Sequence, residues 1–447
     1  MVMKKIRNYS LVLMCMLAFS VANAQTVNSF TVQQAVDYAK KNAVQVKNSL
    51  LDVLIQKQTN RDITSIALPQ VGGSASLTDY LQIPTTLLPA QFTGGPAGTY
   101  TPVKFGTKWN ANTGVSLSQI VFDGQVFIAL KARNATVSYM EQIEKLTEEN
   151  IIANVHKVYY QLVTGKVQIQ LLDANITRLE KLKHDVQIMY DNGFTEKVDI
   201  DKLAVQLANL QTEKLKANNM IANGYSGLKV LMGMPMKDSL VLTDTLDENK
   251  IREGVLEASQ FKYTERKDFQ IIELNNKLNG LNVRRYKLSQ LPSFNLVGNY
   301  ALQAQRTKFD FFGKGDWYST SYIGLQMHVP IFNGFALKAR IQKAKLELQK
   351  SKNQTEALKI NIDAEVENAK NNFITAIASM DFQKKNMALA EKVYGQTKKK
   401  YEIGTGDATT INVAQVDLKT AQTNYITSLY DAIIAKIDFL KATGKFN

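Results

Sequence analysis

The chain has 447 residues, 45% hydrophobic and 21% charged, a balance that excludes a disordered polymer and a bundle of membrane helices. One cysteine, Cys15, and three histidines, His156, His184 and His328, exclude a disulfide framework and a Cys/His metal cage. The formal charge of +14 is carried by lysines interspersed with acids, as around Glu141, Glu144, Lys145, Glu148 and Glu149, which describes solvated helix faces rather than a nucleic-acid surface.

The N-terminus reads as an address. Lys4, Lys5 and Arg7 precede the apolar run from Leu11 to Ala22, and Ala22-Asn23-Ala24 supplies a small-x-small cleavage site. Twelve apolar residues are too few to span a bilayer. Cys15 follows the bulky Met14, which argues against a lipid attachment site. Residues 1–24 are therefore expected to be a signal peptide, with the mature chain starting at Gln25 and free of cysteine.

Thr31 and Gln34 form a capping-box pair that opens a helix. Its apolar stripe is Val32, Val36, Ala39, Ala43, Val46, Leu50 and Val53. A period of two follows over 69–80, where Val71, Ala75 and Leu77 alternate with Gln70, Ser74 and Ser76. Residues 81–108, rich in proline and glycine, read as a loop. A second strand is expected over 109–121, with Trp109, Ala111, Val115, Leu117 and Val121 opposite Asn110, Asn112, Gly114, Ser116 and Ser118.

Prolines locate the helices by their absence. All eight lie at positions 69, 84, 89, 96, 102, 235, 292 and 330. From Gln125 to Tyr190 and from Ala336 to Lys400, helical periodicity runs unbroken, and either stretch would be about 100 Å long as one helix. One seam comprises Val155, Val158, Leu162, Ile169, Leu172, Ile176, Leu179, Val186 and Met189; the other Val366, Phe373, Ile377, Met380, Met387, Ala390, Tyr394 and Tyr401. Repeats near 3.5 residues bury such stripes against neighbouring helices. Two more strands are expected over 292–303 and 317–329, joined by a loop over 304–316.

The polar faces of these four segments are Asn, Ser, Thr, Gly and Gln, almost without charge, as a water-filled lumen requires. About ten residues each is the length of a tilted membrane strand. Trp109 and Trp317 sit at strand starts beside Tyr80, Tyr100, Phe311, Phe312 and Tyr318, as in an interfacial aromatic girdle.

An internal duplication orders the whole chain. Val121-Phe122-Asp123-Gly124 recurs as Ile331-Phe332-Asn333-Gly334, and Ala129-Leu130-Lys131-Ala132-Arg133 recurs at 336–340. Leu68-Pro69 matches Leu291-Pro292. At a constant offset of 211, Tyr190, Gly193, Leu210-Gln211 and Gly233 match Tyr401, Gly404, Ala421-Gln422 and Gly444. Two repeats follow, 25–240 and 241–447, each reading helix, strand, loop, strand, long helix, turn, helix.

This order resembles the TolC-like outer-membrane efflux (outer-membrane factor) family. The resemblance rests on the LP strand starts, the two [VI]F[DN]G junctions, and the glycine turns at about 191–199 and 402–413. It implies an α+β membrane protein with four transmembrane strands per chain and long periplasmic coiled-coil helices. Three chains would close a 12-stranded β-barrel continued by an α-helical barrel. It also implies an exit channel for a tripartite efflux pump or type I secretion system, working with a periplasmic adaptor and an RND or ABC-type inner-membrane transporter. Four strands cannot close a barrel and open edges are forbidden in lipid, which independently favours an oligomer.

The turns Asn192, Gly193, Phe194, Thr195 and Gly404, Thr405, Gly406, Asp407 are the expected periplasmic tip, docking site and gate. Some family members place two aspartates three residues apart after the second turn; Thr410 and Val413 stand there in this chain. Asp199, Asp201 or Asp407 could supply an acidic ring instead, or serve as acids at helix N-termini. Trp109, Trp317, Tyr318 and Tyr80 are the expected girdle. No phosphate loop, HExxH or GxSxG occurs, and Gly224-Tyr225-Ser226-Gly227 lacks the elbow spacing. No catalysis, cofactor or metal is expected. A periplasmic adaptor or a structural coiled-coil protein of the envelope are the alternatives, and the duplicated uncharged strand pairs count against both.

Overall fold

The computed structural model describes residues 27–253, 261–313 and 315–446; the expected signal peptide lies outside the described residues. In chain order the elements are β1 (Val27–Phe30), α1 (Val32–Asn42), α2 (Val44–Ser65), β2 (Gln70–Asp79), β3 (Thr85–Pro89), β4 (Tyr100–Lys104), β5 (Trp109–Phe122), α3 (Gly124–Asp191) and α4 (Lys197–Met232). Then come β6 (Ser239–Leu242), α5 (Glu248–Arg252), α6 (Lys267–Leu288), β7 (Ser293–Arg306), β8 (Tyr318–His328), α7 (Ala336–Glu402) and α8 (Ala408–Ala442). The chain divides into two compact units: Val53–Met140 with Ile272–Gln354, and Met1–Asp52 with Glu141–Ile271 and Thr355–Asn447. No described helix is long and apolar enough to cross a membrane.

The first unit is built on an antiparallel sheet of order β2-β5-β7-β8. The strands β2 and β8 are its open edges. A bulge between Ile120 and Phe122 ends the β5–β7 ladder, where the chain turns into α3. Beside the sheet, Asn60 donates to the Arg133 carbonyl at 2.8 Å and Arg133 donates to Thr64 Oγ1 at 2.7 Å, tying α2 to α3. The segment expected as a plain loop over 81–108 contains the β3–β4 hairpin. Four prolines obscured it in sequence, yet both strands place their prolines in a two-stranded ribbon, where missing amide donors can face outward.

The second unit is helical and carries the parallel pair β1–β6, which no periodicity marked because each strand has only four residues. Tyr159, fully buried, pins the pair: its hydroxyl donates to the Phe30 carbonyl at 2.8 Å and accepts from the Asp244 amide at 3.2 Å. Burial raises its phenol to about 12. Around it Ala35, Val36, Ala39, Val155, Leu162, Leu228, Met232 and Ile433 form one core. Such burial contributes roughly 1.5–3 kcal/mol per large aliphatic side chain.

Thr31 caps α1 with the expected reciprocal box. The stripe that follows departs from expectation at Leu50, which is 52% exposed, while Ser49 is buried and donates to the Val46 carbonyl at 2.9 Å. Only this one step departs, since Val46 and Val53 stay buried as expected; a separate break lies at Ala43, whose ψ of 129° ends α1. No proline or glycine stands there. The partner is Gly233, whose α-carbon packs against the Asn42 carbonyl so closely that a β-carbon would lie 2.3 Å away.

Candidate functional site

Two features stand out, and each follows from local sequence. The first is the sheet. Registers Leu77↔Ala111, Val115↔Tyr300, Leu117↔Gly298, Gly298↔Ile323 and Leu296↔Leu325 place Val71, Leu77, Val115, Leu117, Leu296, Tyr300, Ile323 and Leu325 on one face. Registers Ser74↔Gly114, Asn112↔Gln303, Ser116↔Asn299 and Asn295↔Gln326 place the amides and hydroxyls on the other. The edge strands are bare on both faces: β8 is exposed along almost its whole length, and so is β2, while the central β5 and β7 are mostly half-buried. A soluble sheet buries its apolar face against a core; this one leaves Val71 at 69%, Ile323 at 74% and Leu325 at 64% exposure.

Aromatic side chains gather at both ends of the sheet. At the loop end Trp109 meets Phe309 edge-on at 5.2 Å, Phe309 contacts Phe311 at 5.6 Å, and Phe311 reaches Trp317 at 6.4 Å. Tyr80 closes the loop, its amide donating to the Lys108 carbonyl at 2.8 Å, and Tyr318 opens β8. At the helix end Phe122 packs on Phe127 at 5.5 Å and Phe294 at 6.4 Å, and Phe332 on Phe335 at 5.5 Å. This second cluster was not read from sequence. Phe122 and Phe332, equivalent residues of the duplicated junctions, were its signal.

The second feature is the pair of helical turns. Gly193 and Gly404 have φ of 78° and 74°. After α3, the Phe194 amide donates to Met189 O and the Gly193 amide to Tyr190 O; after α7, Thr405 donates to Lys400 O and Gly404 to Tyr401 O. These are Schellman ends, which need a left-handed residue after the helix. The same motif closes α4 at Gly233, with Met234 donating to Lys229 O, and α8 at Gly444, with Lys445 donating to Leu440 O. The duplication is thus also a duplication of backbone geometry.

Beneath the turns Leu179, Val186, Ile200, Leu203, Tyr401, Ile411 and Leu418 form a second core, which packs α3, α4, α7 and α8 together. Phe194 and Val413 stand out at 78% and 55% exposure. Asp407 caps α8, accepting from the Thr410 amide at 2.6 Å and the Thr410 hydroxyl at 2.8 Å, and those bonds hold its carboxyl below the ordinary value. Asp199 accepts from the Thr195 hydroxyl at 3.0 Å and pairs with Lys202 at 3.2 Å. Asp201 is exposed just beyond the first turn of α4, and Asn192 donates back to the Ile188 carbonyl. A groove of about 300 Å³ between α4 and α8 is lined by Lys202, Gln206, Thr409, Asn412, Val413, Val416 and Asp417. Among the described residues no His/Cys/Asp/Glu cluster could hold a metal ion.

Residues 265–445 match the outer membrane efflux protein family. The outer membrane protein TolC of Vibrio cholerae is 20% identical over 74% of this chain and 76% of its own length. The outer membrane efflux protein BepC of Brucella suis is 20% identical over 96% of this chain and 89% of its own. The Campylobacter jejuni CmeC outer membrane channel superposes with a TM-score of 0.75 at 18% identity, covering 93% of this chain and 86% of that one. With the two-faced sheet and the duplicated helical hairpins, these likenesses make the chain similar to the TolC-like outer-membrane efflux proteins, with the fold of the outer-membrane channels on which it superposes.

Proposed function

We propose that three copies of this chain close a 12-stranded β-barrel, continued by a periplasmic α-helical barrel, and that the assembly is a passive exit duct. It would serve a tripartite efflux pump or a type I secretion system, taking substrate from an inner-membrane RND or ABC-type transporter through a periplasmic adaptor. One observation carries the reading: a four-stranded sheet with an apolar and an uncharged polar face, whose two edge strands are exposed and unpaired on their outer sides. In lipid an open edge leaves unpaired amides, so other copies must supply the missing strands. Twelve strands leave room for a lumen, whereas eight fill with side chains.

In this reading Val115, Leu117, Ile323 and Leu325 face lipid, and Asn112, Ser116 and Gln326 line the lumen. Trp109, Trp317, Tyr318 and Tyr80 lie at one membrane interface. The repeats 25–240 and 241–447 each contribute one hairpin of strands and one of helices. The turns, with the groove between α4 and α8, form the tip where the adaptor docks and the resting channel closes; opening requires only that hairpins splay, favoured by a partner that binds the open state better. Asp407 caps α8 through Thr410, and Asp199 is engaged by the Thr195 hydroxyl and Lys202. That leaves Asp201 as the free acid for a ring. Purified protein should have the native mass of three chains and form ion-conducting channels in planar bilayers. A monomer without conductance would refute the proposal.

A further inference from the structure

Deep between α3 and α8, the Asn175 side-chain amide donates to Gln422 Oε1 at 3.1 Å. Asn175 is 1% exposed, so this pair is part of a packed helix–helix interface. The duplication offset of 211 carries Asn175 onto Asn386 of α7, and carries Gln211 of α4 onto Gln422. The two amides of the buried pair therefore have equivalents in the opposite halves, of the same residue types. Yet Asn386 and Gln211 are both exposed, and neither side chain has a partner among the described residues.

Their surroundings repeat the pattern. Around Asn386, the positions on one face of α7 are Phe382, Leu389 and Val393, exposed by 69%, 60% and 43%. Spacings of four, three and four residues make these one helical stripe. The equivalent residues of α3 are Leu171, Arg178 and Leu182, of which Leu182 is buried against its neighbours. On α4, Gln211 is flanked by Ala204, Ala208 and Leu215, the last 72% exposed; its equivalent in α8, Ile426, is 9% exposed. So an apolar stripe on α7 and, on α4, Ala208 and Leu215 lie exposed beside an exposed amide, whereas Leu182, Gln415 and Ile426 at equivalent positions are buried.

We propose that α7 of one protomer packs against α4 of the next, with Asn386 and the partner copy's equivalent of Gln211 in the amide–amide hydrogen bond that Asn175 and Gln422 make internally. The occupant of both surfaces is a second copy of this chain. In a ring of alternating repeats, each first-to-second-half interface within a chain is followed by a second-to-first-half interface between chains, so the same contact must serve both. The satellites differ: Arg178 and Gln415, which also bond Asn175, are replaced by Leu389 and Ala204. The intersubunit pair thus keeps the central bond in an otherwise apolar setting, where one amide pair fixes register and rejects other alignments. The proposal rests on the ring assembly and specifies its contact.

The test uses full-length protein in its native membrane, where the only cysteine of the sequence is Cys15 in the leader. Asn386→Cys with Gln211→Cys in one chain, treated with a short thiol-to-thiol linker, should convert the monomer band to covalent dimer and trimer. Asn175→Cys with Gln422→Cys should link internally and leave the monomer mass unchanged. Either of Asn386→Cys or Gln211→Cys alone should stay monomeric on a denaturing gel. A trimeric native mass without cross-linking of the 386/211 pair would overturn this contact alone, and a monomeric native mass would overturn the ring. Cross-linking through Asn386→Cys alone would also overturn it, by placing two α7 helices face to face. Should the cysteine pair fail to reach the membrane, a charge exchange decides. Asn386→Asp and Gln211→Lys should each lower the temperature at which the trimer dissociates, and together restore it; independent losses that simply add would count against the contact.

Discussion

Gln415 Nε2 donates to Asn175 Oδ1 at 2.9 Å across 240 residues of sequence, in a site where the two side chains are 4% and 1% exposed. Asn175 is saturated: its amide also donates to Leu171 O at 2.8 Å and to Gln422 Oε1, while its oxygen accepts a second bond from Arg178 at 3.3 Å. The Arg178 guanidinium in turn lies over the Tyr394 ring at 5.3 Å, so the layer joins α3, α7 and α8. Removing one member of a buried amide layer strands the others, at roughly 1–3 kcal/mol each. Asn175→Ala should therefore lower the unfolding midpoint of the helical region, while Asn175→Leu combined with Gln415→Leu should recover most of the loss. A double-mutant cycle on thermal unfolding measures this, and additive losses would mean the two amides act separately.

The glycine turns should differ sharply in tolerance. A β-carbon on Gly193 or Gly404 meets nothing within 4 Å, so only the left-handed backbone resists substitution, at about 1–2 kcal/mol. At Gly233 the same backbone cost is joined by a contact of 2.3 Å with the Asn42 carbonyl. Gly193→Ala should assemble normally and Gly193→Asn should be milder still, whereas Gly233→Ala should displace α1 and impair folding. Limited proteolysis of the three variants would rank them, and equal sensitivity would contradict the assigned role of Gly233.

His156 gives the helical unit a pH dependence with a definite sign. Burial against Tyr160 and the edge-on ring of Phe446 holds its imidazole at about 4, below the ordinary 6.5. For a base with a depressed folded value the unfolded chain takes up the proton first, so its contribution is complete above about pH 6.5 and is lost as pH falls toward 4. The loss is at most about 3 kcal/mol. His156→Phe should flatten the melting temperature against pH across that window. An unchanged slope would assign the dependence to other groups.

On the sheet, an arginine at Leu117 should cost roughly 2–4 kcal/mol near mid-membrane, whereas one at Ser116 should leave assembly intact and alter conductance. Folding yield in detergent with single-channel recording separates the two. Equal damage at these neighbouring positions would contradict the two-faced wall.

Much of this architecture is legible because it is written in long, regular signals. Proline-free stretches of more than sixty residues become α3 and α7, and alternation around Val115 and Ile323 becomes β5 and β8. What escaped reading depends on contacts between distant segments. The break at Ala43 lies against Gly233, which is far away in sequence. The strands β1 and β6 are stabilised by the Tyr159 hydroxyl rather than by their own pattern. At the two turns the glycines announce themselves, while Asp199 and Asp407 read either as ring acids or as acids at helix N-termini, and only the structure shows them bonded to Thr195 and Thr410. Asn175 and Gln415 carry no local signal, since an amide on a helix reads as surface until its partner is known.

The claim that the uncharged face of the sheet lines a conducting pore is tested most directly by thiol block. Ser116→Cys and Leu117→Cys, each combined with Cys15→Ser, would be recorded as single channels in planar bilayers while a charged, membrane-impermeant thiol reagent is added. Conductance should step down in three increments for Ser116→Cys and stay constant for Leu117→Cys. Block through Leu117→Cys, or none through Ser116→Cys in channels shown to be labelled, would contradict the account.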